Sequence, residues 1–405
     1  MAYHRLLARS NAACRAYGRS AKLTRASMLG RTKRSGSALI LTVFSLFVLF
    51  SFLAFAIDTG YLAGARAEMR RSSDAASMAG CWEMYQQMQS GSSASGAKTA
   101  ARLIAAQYAL ANRVTNSDIV IDSGAQSQEV QIGYLDRLSG TSSISQNSDL
   151  PFLAVQVSMF KTANRNGQVP FFFGKIFGRP GQDMTTSALA VMAQRVSGFS
   201  LPADGTTTLP ILPFSIDLES WEAVQAGVGS DSYHYDAASR EVVSGADGKP
   251  EINFYPKGTG APGNRGTVDI GSASNSTADI SRQIVHGVSR ADLTAFGKPL
   301  QLSSEGTLSV NGDTGISAGV KDELQSIIGQ TRVVPVFSTV SGNGNNAVYT
   351  VVKWVGIRIL AVDLTGSPAN KKVIAEPATI VSRFVTVSDT IGSSDGVFSP
   401  VLLTR

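Results

Sequence analysis

The sequence predicts a single N-terminal transmembrane helix, then an α+β unit made of a long helix and an antiparallel sheet, then a β-rich domain. Three observations carry this reading. An uncharged, overwhelmingly apolar run covers Ser35 to Ile57 behind a basic leader; the apolar spacing changes from helical to alternating near residue 115; and turn-rich segments divide the alternating runs beyond residue 200. At 405 residues the chain exceeds a comfortable single core, which favours two globular domains over one. The segments are a leader (1–34), the membrane helix (35–57), a helical extension with an α+β domain (58–200) and a β-rich domain (201–405). A composition 43% hydrophobic and 16% charged belongs to a folded chain and excludes a disordered one.

Residues 1–34 hold nine basic side chains and no acidic one, so the net charge of +6 belongs to the leader, and the remainder is slightly acidic. A membrane surface explains such a cluster better than nucleic acid does. No basic stripe interleaved with aromatic residues follows, so no nucleic-acid partner is expected. The run Ala38 to Ile57 is long enough, at about 1.5 Å per helical residue, to cross a hydrocarbon core of roughly 30 Å. Arg31, Lys33 and Arg34 before it and Asp58 after it orient the helix with its N-terminus in the cytoplasm. Ala54-Phe55-Ala56 also fits a small-x-small cleavage site, which would release a secreted protein beginning at Ile57. The apolar region of a secretory signal spans only about 7–15 residues, so a retained anchor is preferred.

The helix is predicted to continue without proline through Gly80. Small residues recur four apart at Gly60/Gly64 and Ala76/Gly80, a spacing that lets another helix approach closely. That helix belongs either to a neighbour in an assembly or to the same domain. Cys14 and Cys81 flank the apolar run, so no internal disulfide is expected; Cys81 reads as a small apolar helix residue, with pairing to another subunit as the alternative.

A Ser/Gly linker, residues 90–96, precedes a second helix predicted over Ala97 to Arg113, with Leu103, Ile104, Tyr108 and Ala111 as its apolar face. Asp118 to Asp122 and Glu129 to Tyr134 alternate like paired strands, and Phe152 to Phe160 and Thr185 to Ala193 read as two more. Leu201 to Pro210 has linker composition. Beyond it the clearest strands are Val333 to Thr339 and Ala347 to Leu364, and two short helices are predicted over Asp279 to Val288 and Ala318 to Ile328, the latter capped by Ser317.

Candidate chemistry is sparse. Gly315-Ile-Ser317-Ala-Gly319 matches a nucleophile elbow, but the hydrolase order requires a downstream histidine and the three histidines are His4, His234 and His286. Asp183-Met-Thr185-Thr-Ser187 resembles a divalent-cation loop, yet no βαβ alternation surrounds it. His234 has no second His or Cys near it in sequence, so aromatic packing in a turn is favoured over a metal. Pro262 to Gly266 lacks phosphate-loop spacing, and the sequon at Asn275 reads as loop composition. No catalytic residue, metal or cofactor is expected; an exported hydrolase using Ser317 is the least favoured alternative.

Arg34-Ser-Gly-Ser37, the apolar run, Ile57-Asp-Thr-Gly60, Ala65 to Arg71 and Ser73 to Gly80 together resemble the N-terminal anchor of TadG-like proteins of the Tad/Flp pilus-assembly system. The resemblance continues in Val169-Pro-Phe-Phe-Phe-Gly-Lys-Ile-Phe-Gly178, Leu209 to Phe214, Gly263 to Gly266, Ser317 to Leu324 and Val340 to Ala347. It implies a pilin-like α+β fold and a non-catalytic envelope component associated with surface attachment and biofilm formation. Its implied partners are the cytoplasmic membrane, other pilus-assembly proteins or pilins, and a second copy of itself, with the bulk of the chain periplasmic or extracellular. Two departures matter. Relatives processed by a prepilin peptidase carry Glu five residues after the cleavage-site glycine, and counting from Gly36 that place is Leu41, which favours a permanent anchor. Some relatives carry a von Willebrand type A domain, which the match at Asp183 does not establish. A secreted or surface adhesin released by cleavage after Ala56 is the competing expectation.

Overall fold

The computed structural model describes residues 35–138, 143–201, 205–255, 265–271, 276–342, 344–367, 370–387 and 394–404. Arg31, Lys33, Arg34 and Cys14 in the leader lie outside these residues, as do Pro262, Gly263, Asn264 and Asn275. The chain divides into two compact units between Phe55 and Ala56.

Helix α1 (Ser35–Gln89) contains no proline and is continuous for 55 residues. Its first part is apolar on all sides, with Leu39, Phe44, Phe47 and Phe50 between 57% and 68% exposed, and it is long and apolar enough to cross a membrane. From Asp58 onward burial takes a helical period through Ala65, Met69, Ala76, Cys81 and Met84, the pattern of a helix with one face on a core.

Within the second unit α1 and α2 (Ala94–Ala111) cover a four-stranded sheet. Ser93 caps α2 by accepting the Gly96 N–H at 3.2 Å. Strands β1 (Val130–Leu135), β2 (Phe152–Lys161) and β3 (Met184–Ala193) pair antiparallel in sequence order. Strand alternation sends Leu153, Val155, Val157 and Met159 to the helix side and Phe152 and Ala154 to the other. The fourth strand is the last of the chain, Leu402–Thr404, antiparallel to β3 with Leu402 opposite Val191.

Two expectations are corrected here. Asp118 to Asp122 form no strand. Ile119 and Ile121 are buried in alternation, as their pattern requires, but the Val120 N–H and C=O are both bonded at 3.0 Å by the Asn166 side-chain amide, which replaces a ladder partner. The buried stripe of α2 is Ala97, Ala101, Ala105 and Ala109, whereas Leu103 and Tyr108 stand 51% and 49% exposed. Small side chains are needed where helix and core backbone approach closely, and the larger residues do not fit there.

A second sheet of eight strands closes into a barrel. Its strands are β4 (Phe214–Asp217), β5 (Ile252–Asn253), β6 (Gly266–Val268), β7 (Leu308–Asp313), β8 (Thr331–Ser341), β9 (Ala347–Asp363), β10 (Lys372–Pro377) and β11 (Ser394–Asp395). β9 pairs with β7, β7 with β6, β6 with β4, β4 with β8 in parallel, and β8 back with β9, which closes the ring. β9 is long enough to take β10 and β11 as well, and β5 extends the sheet beyond β10. Irregularities at Val336/Phe337 and Phe337/Thr339 bend β8.

Helices α3 (Leu218–Gln225), α4 (Thr277–His286), α5 (Arg290–Phe296) and α6 (Lys321–Ser326) lie around it. Trp221, Ile284 and Leu324 join Phe214, Val334 and Ile357 in one core; Phe199, Val310, Tyr349 and Trp354 form another. α4 and α6 fall where the sequence places helices, and the Ser317 side chain accepts the Gly319 N–H, as a cap. The sequence pattern places no helix at α3 or α5, whose eight and seven residues carry little period of their own; the still shorter α6 is marked by the Ser317 cap before it.

Candidate functional site

The site of interest lies where the apolar run of α1 ends. Asp58 directly follows Ile57 and is 7% exposed. Its carboxylate accepts the backbone N–H groups of Phe172 at 2.7 Å, Phe173 at 3.2 Å and Gly174 at 2.8 Å. Three successive amides converging on one carboxylate form an anion nest. They are the free donors at the head of the 3-10 turn Gly174–Phe177, so Asp58 acts as that turn's cap from a distant helix. Burial pushes the Asp58 carboxyl up, the three amides pull it down further, and its pKa lies below the ordinary 3.8.

The loop carrying these amides is closed at its base by Val169–Pro170 pairing with Gly181–Gln182 and by the Phe171 N–H bonded to the Pro180 carbonyl at 3.0 Å. Gly178 ends the turn at φ +77°, a conformation glycine adopts without strain. The Phe172 ring meets Tyr61, one helical turn beyond Asp58, edge-on at 4.9 Å. Phe172, Phe173, Ile176 and Phe177 are all exposed.

The four small residues of α1 divide into two pairs. Ala76 is fully buried, and a side-chain carbon at Gly80 would sit 3.2 Å from the Ala101 carbonyl and from Val155, so both pack on the chain's own α2 and sheet. Gly60 and Gly64 are exposed, and among the described residues nothing lies within 4 Å of where a side-chain carbon would stand. Cys81 is wholly buried and burial pushes its thiol up to about 12, which makes it a packing residue.

The other sequence candidates have ordinary partners. Asp183 accepts the Gln168 side-chain amide at 2.7 Å and the Ala163 N–H at 3.2 Å. His234 sits in a two-stranded hairpin, its Nδ1 3.0 Å from the Gly245 carbonyl. Among the described residues no group of three or more His, Cys, Asp and Glu side chains is placed to hold a metal. The loop on Asp58 was missed at the sequence level, where Pro170 to Phe173 stood out only as part of a resemblance.

The arrangement defines a class of protein: a membrane-length apolar helix that runs on into the packed helix of an α+β head. Residues 36–102 match the family described as Flp pilus-assembly TadE/G-like, and residues 79–190 match one described as Tad-like Flp pilus-assembly. Both matches lie within residues 36–190, and over that part the chain is similar to TadE/G-like proteins of Tad/Flp pilus assembly. No curated protein and no solved structure matches it.

Proposed function

We propose that this chain is a membrane-anchored, non-catalytic component of pilus assembly. Residues 35–57 hold it in the cytoplasmic membrane, the leader with Arg31, Lys33 and Arg34 faces the cytoplasm, and the rest is exported to position pilins or envelope partners for surface attachment. The observation that carries the reading is α1 itself. One helix bears an exposed apolar run of membrane length and then, from Asp58, a buried stripe on a folded head, and the TadE/G-like match covers that same stretch. A retained anchor suits this continuity, because cleavage after Ala56 would cut inside the helix. Gly60 and Gly64, open on the helix surface, are where a second helix would pack; Ala76 and Gly80 are already committed within the chain.

Fractionation with N-terminal sequencing tests this. We expect the full-length chain to resist carbonate extraction, with a C-terminal tag reachable by protease only from the periplasmic side. A soluble protein, a mature N-terminus at Ile57, or a tag reachable only from the cytosol would each end the proposal.

A further inference from the structure

We propose that the tip of the 169–182 loop, through Phe172, Phe173, Ile176 and Phe177, dips into the interface of the same bilayer that α1 crosses, on the side where α1 emerges. This rests on the anchoring reading above and adds a second membrane contact to it.

Position is the first argument. Asp58 is the residue immediately after the apolar run, about 1.5 Å along the helix from Ile57, and it is the residue that grips the loop through Phe172, Phe173 and Gly174. The tip is thus tied to the level at which the hydrocarbon would end, and Tyr61, which suits that interfacial level, packs on Phe172.

Exposure is the second. Ile176 is 78% exposed and Phe177 73%, while Phe152, Phe199, Phe254 and Phe398 elsewhere in the same unit are buried. Single exposed apolar residues are ordinary, but four on one short turn form a patch that calls for a cover.

Backbone chemistry and charge select lipid as that cover. A segment leaving water needs its amides satisfied internally. Here Asp58 takes those of 172–174, and Phe171, Ile176, Gly178 and Arg179 donate to carbonyls within the loop. Exposed Lys175 and Arg179 flank the apolar side chains, an arrangement in which cations reach anionic headgroups while the neighbouring rings enter the acyl boundary.

The test uses the full chain with Cys14→Ser, reconstituted in bilayers of phosphatidylcholine and phosphatidylglycerol, and one fluorophore on either Phe47→Cys or Ile176→Cys. Cys81 is buried and stays unlabelled. Lipids bearing a nitroxide low on the acyl chain should remove most of the emission from position 47, since it lies roughly 16 Å deeper than Asp58, lipids bearing it high on the chain most of that from position 176, and aqueous iodide little from either. Quenching of position 47 by lipid with position 176 open to iodide overturns the loop proposal and leaves the anchor standing. Failure of lipid to quench position 47 overturns both. Shielding of position 176 from lipid and iodide alike means a protein covers the tip, and also overturns the proposal.

Discussion

Asp292 accepts two hydrogen bonds from the Arg282 guanidinium, at 3.0 and 2.6 Å, and closes a capping box with Ser289 at the head of α5. Asp217 caps α3 through the Ser220 N–H and meets the Arg265 guanidinium at 2.9 Å; Arg265 also donates to the Asn253 carbonyl and the Ser220 hydroxyl. Burial pushes both carboxyls up, their hydrogen bonds and the facing arginines pull them down further, and each pKa lies below the ordinary 3.8. A carboxyl held lower in the folded chain than in the unfolded one contributes stability that is complete above its unfolded value and is lost as pH falls through its folded value. We therefore expect Asp292→Asn to destabilise fully at neutral pH and to converge on the parent only as pH falls below the ordinary carboxylate range, read by urea unfolding across that range. A penalty that does not change with pH would assign the loss to packing instead.

At the scale of elements, the contact between α1 and α2 shows how side-chain size chooses a face. Gly80 lies against Ala101, Ala105 and Val155, so Gly80→Leu should cost about 1–3 kcal/mol of unfolding free energy through overpacking. A side-chain carbon at Gly64 would meet nothing within 4 Å among the described residues. Gly64→Ala should leave stability unchanged or raise it by up to about 1 kcal/mol, the helix gain of alanine over glycine. Equal effects in thermal or urea unfolding would contradict this division. The alanine stripe of α2 was not legible because Leu103 and Tyr108 outweigh alanine in any hydrophobic pattern, and only the approach of a second backbone reveals that small residues belong inside.

For the whole molecule, the strand Leu402–Thr404 decides how the residues that follow the barrel rejoin the first sheet. Leu402–Thr404 completes the sheet begun by residues 130–193, and the Ser399 side chain accepts the Ala193 N–H at 2.8 Å. Trp354 on β9 donates to the Ser197 carbonyl at 3.1 Å and meets Phe199 edge-on, so the barrel also holds the segment that leaves β3. Deleting residues 399–405 would leave β3 as a bare edge. We expect faster amide exchange over residues 189–193 and a lower thermal midpoint; exchange indistinguishable from the full chain would contradict a structural role for the last strand.

The sequence by itself determined the apolar helix at 35–57, its continuation through Gly80, strands β1 to β3, β8 and β9, and the Ser317 cap, because each rests on a local period or a local hydrogen bond. It also marked Asp58, Gly60, Gly64, Ala76 and Gly80. Only the tertiary structure decided that Asp58 holds a loop 114 residues away, that Ala76 and Gly80 face inward while Gly60 and Gly64 do not, that Asn166 stands in for a strand beside Val120, and that the chain's end returns to its first sheet. A local pattern states that a group will seek a partner. Which partner it finds depends on what the closed fold carries into reach, and no period along the chain encodes that distance.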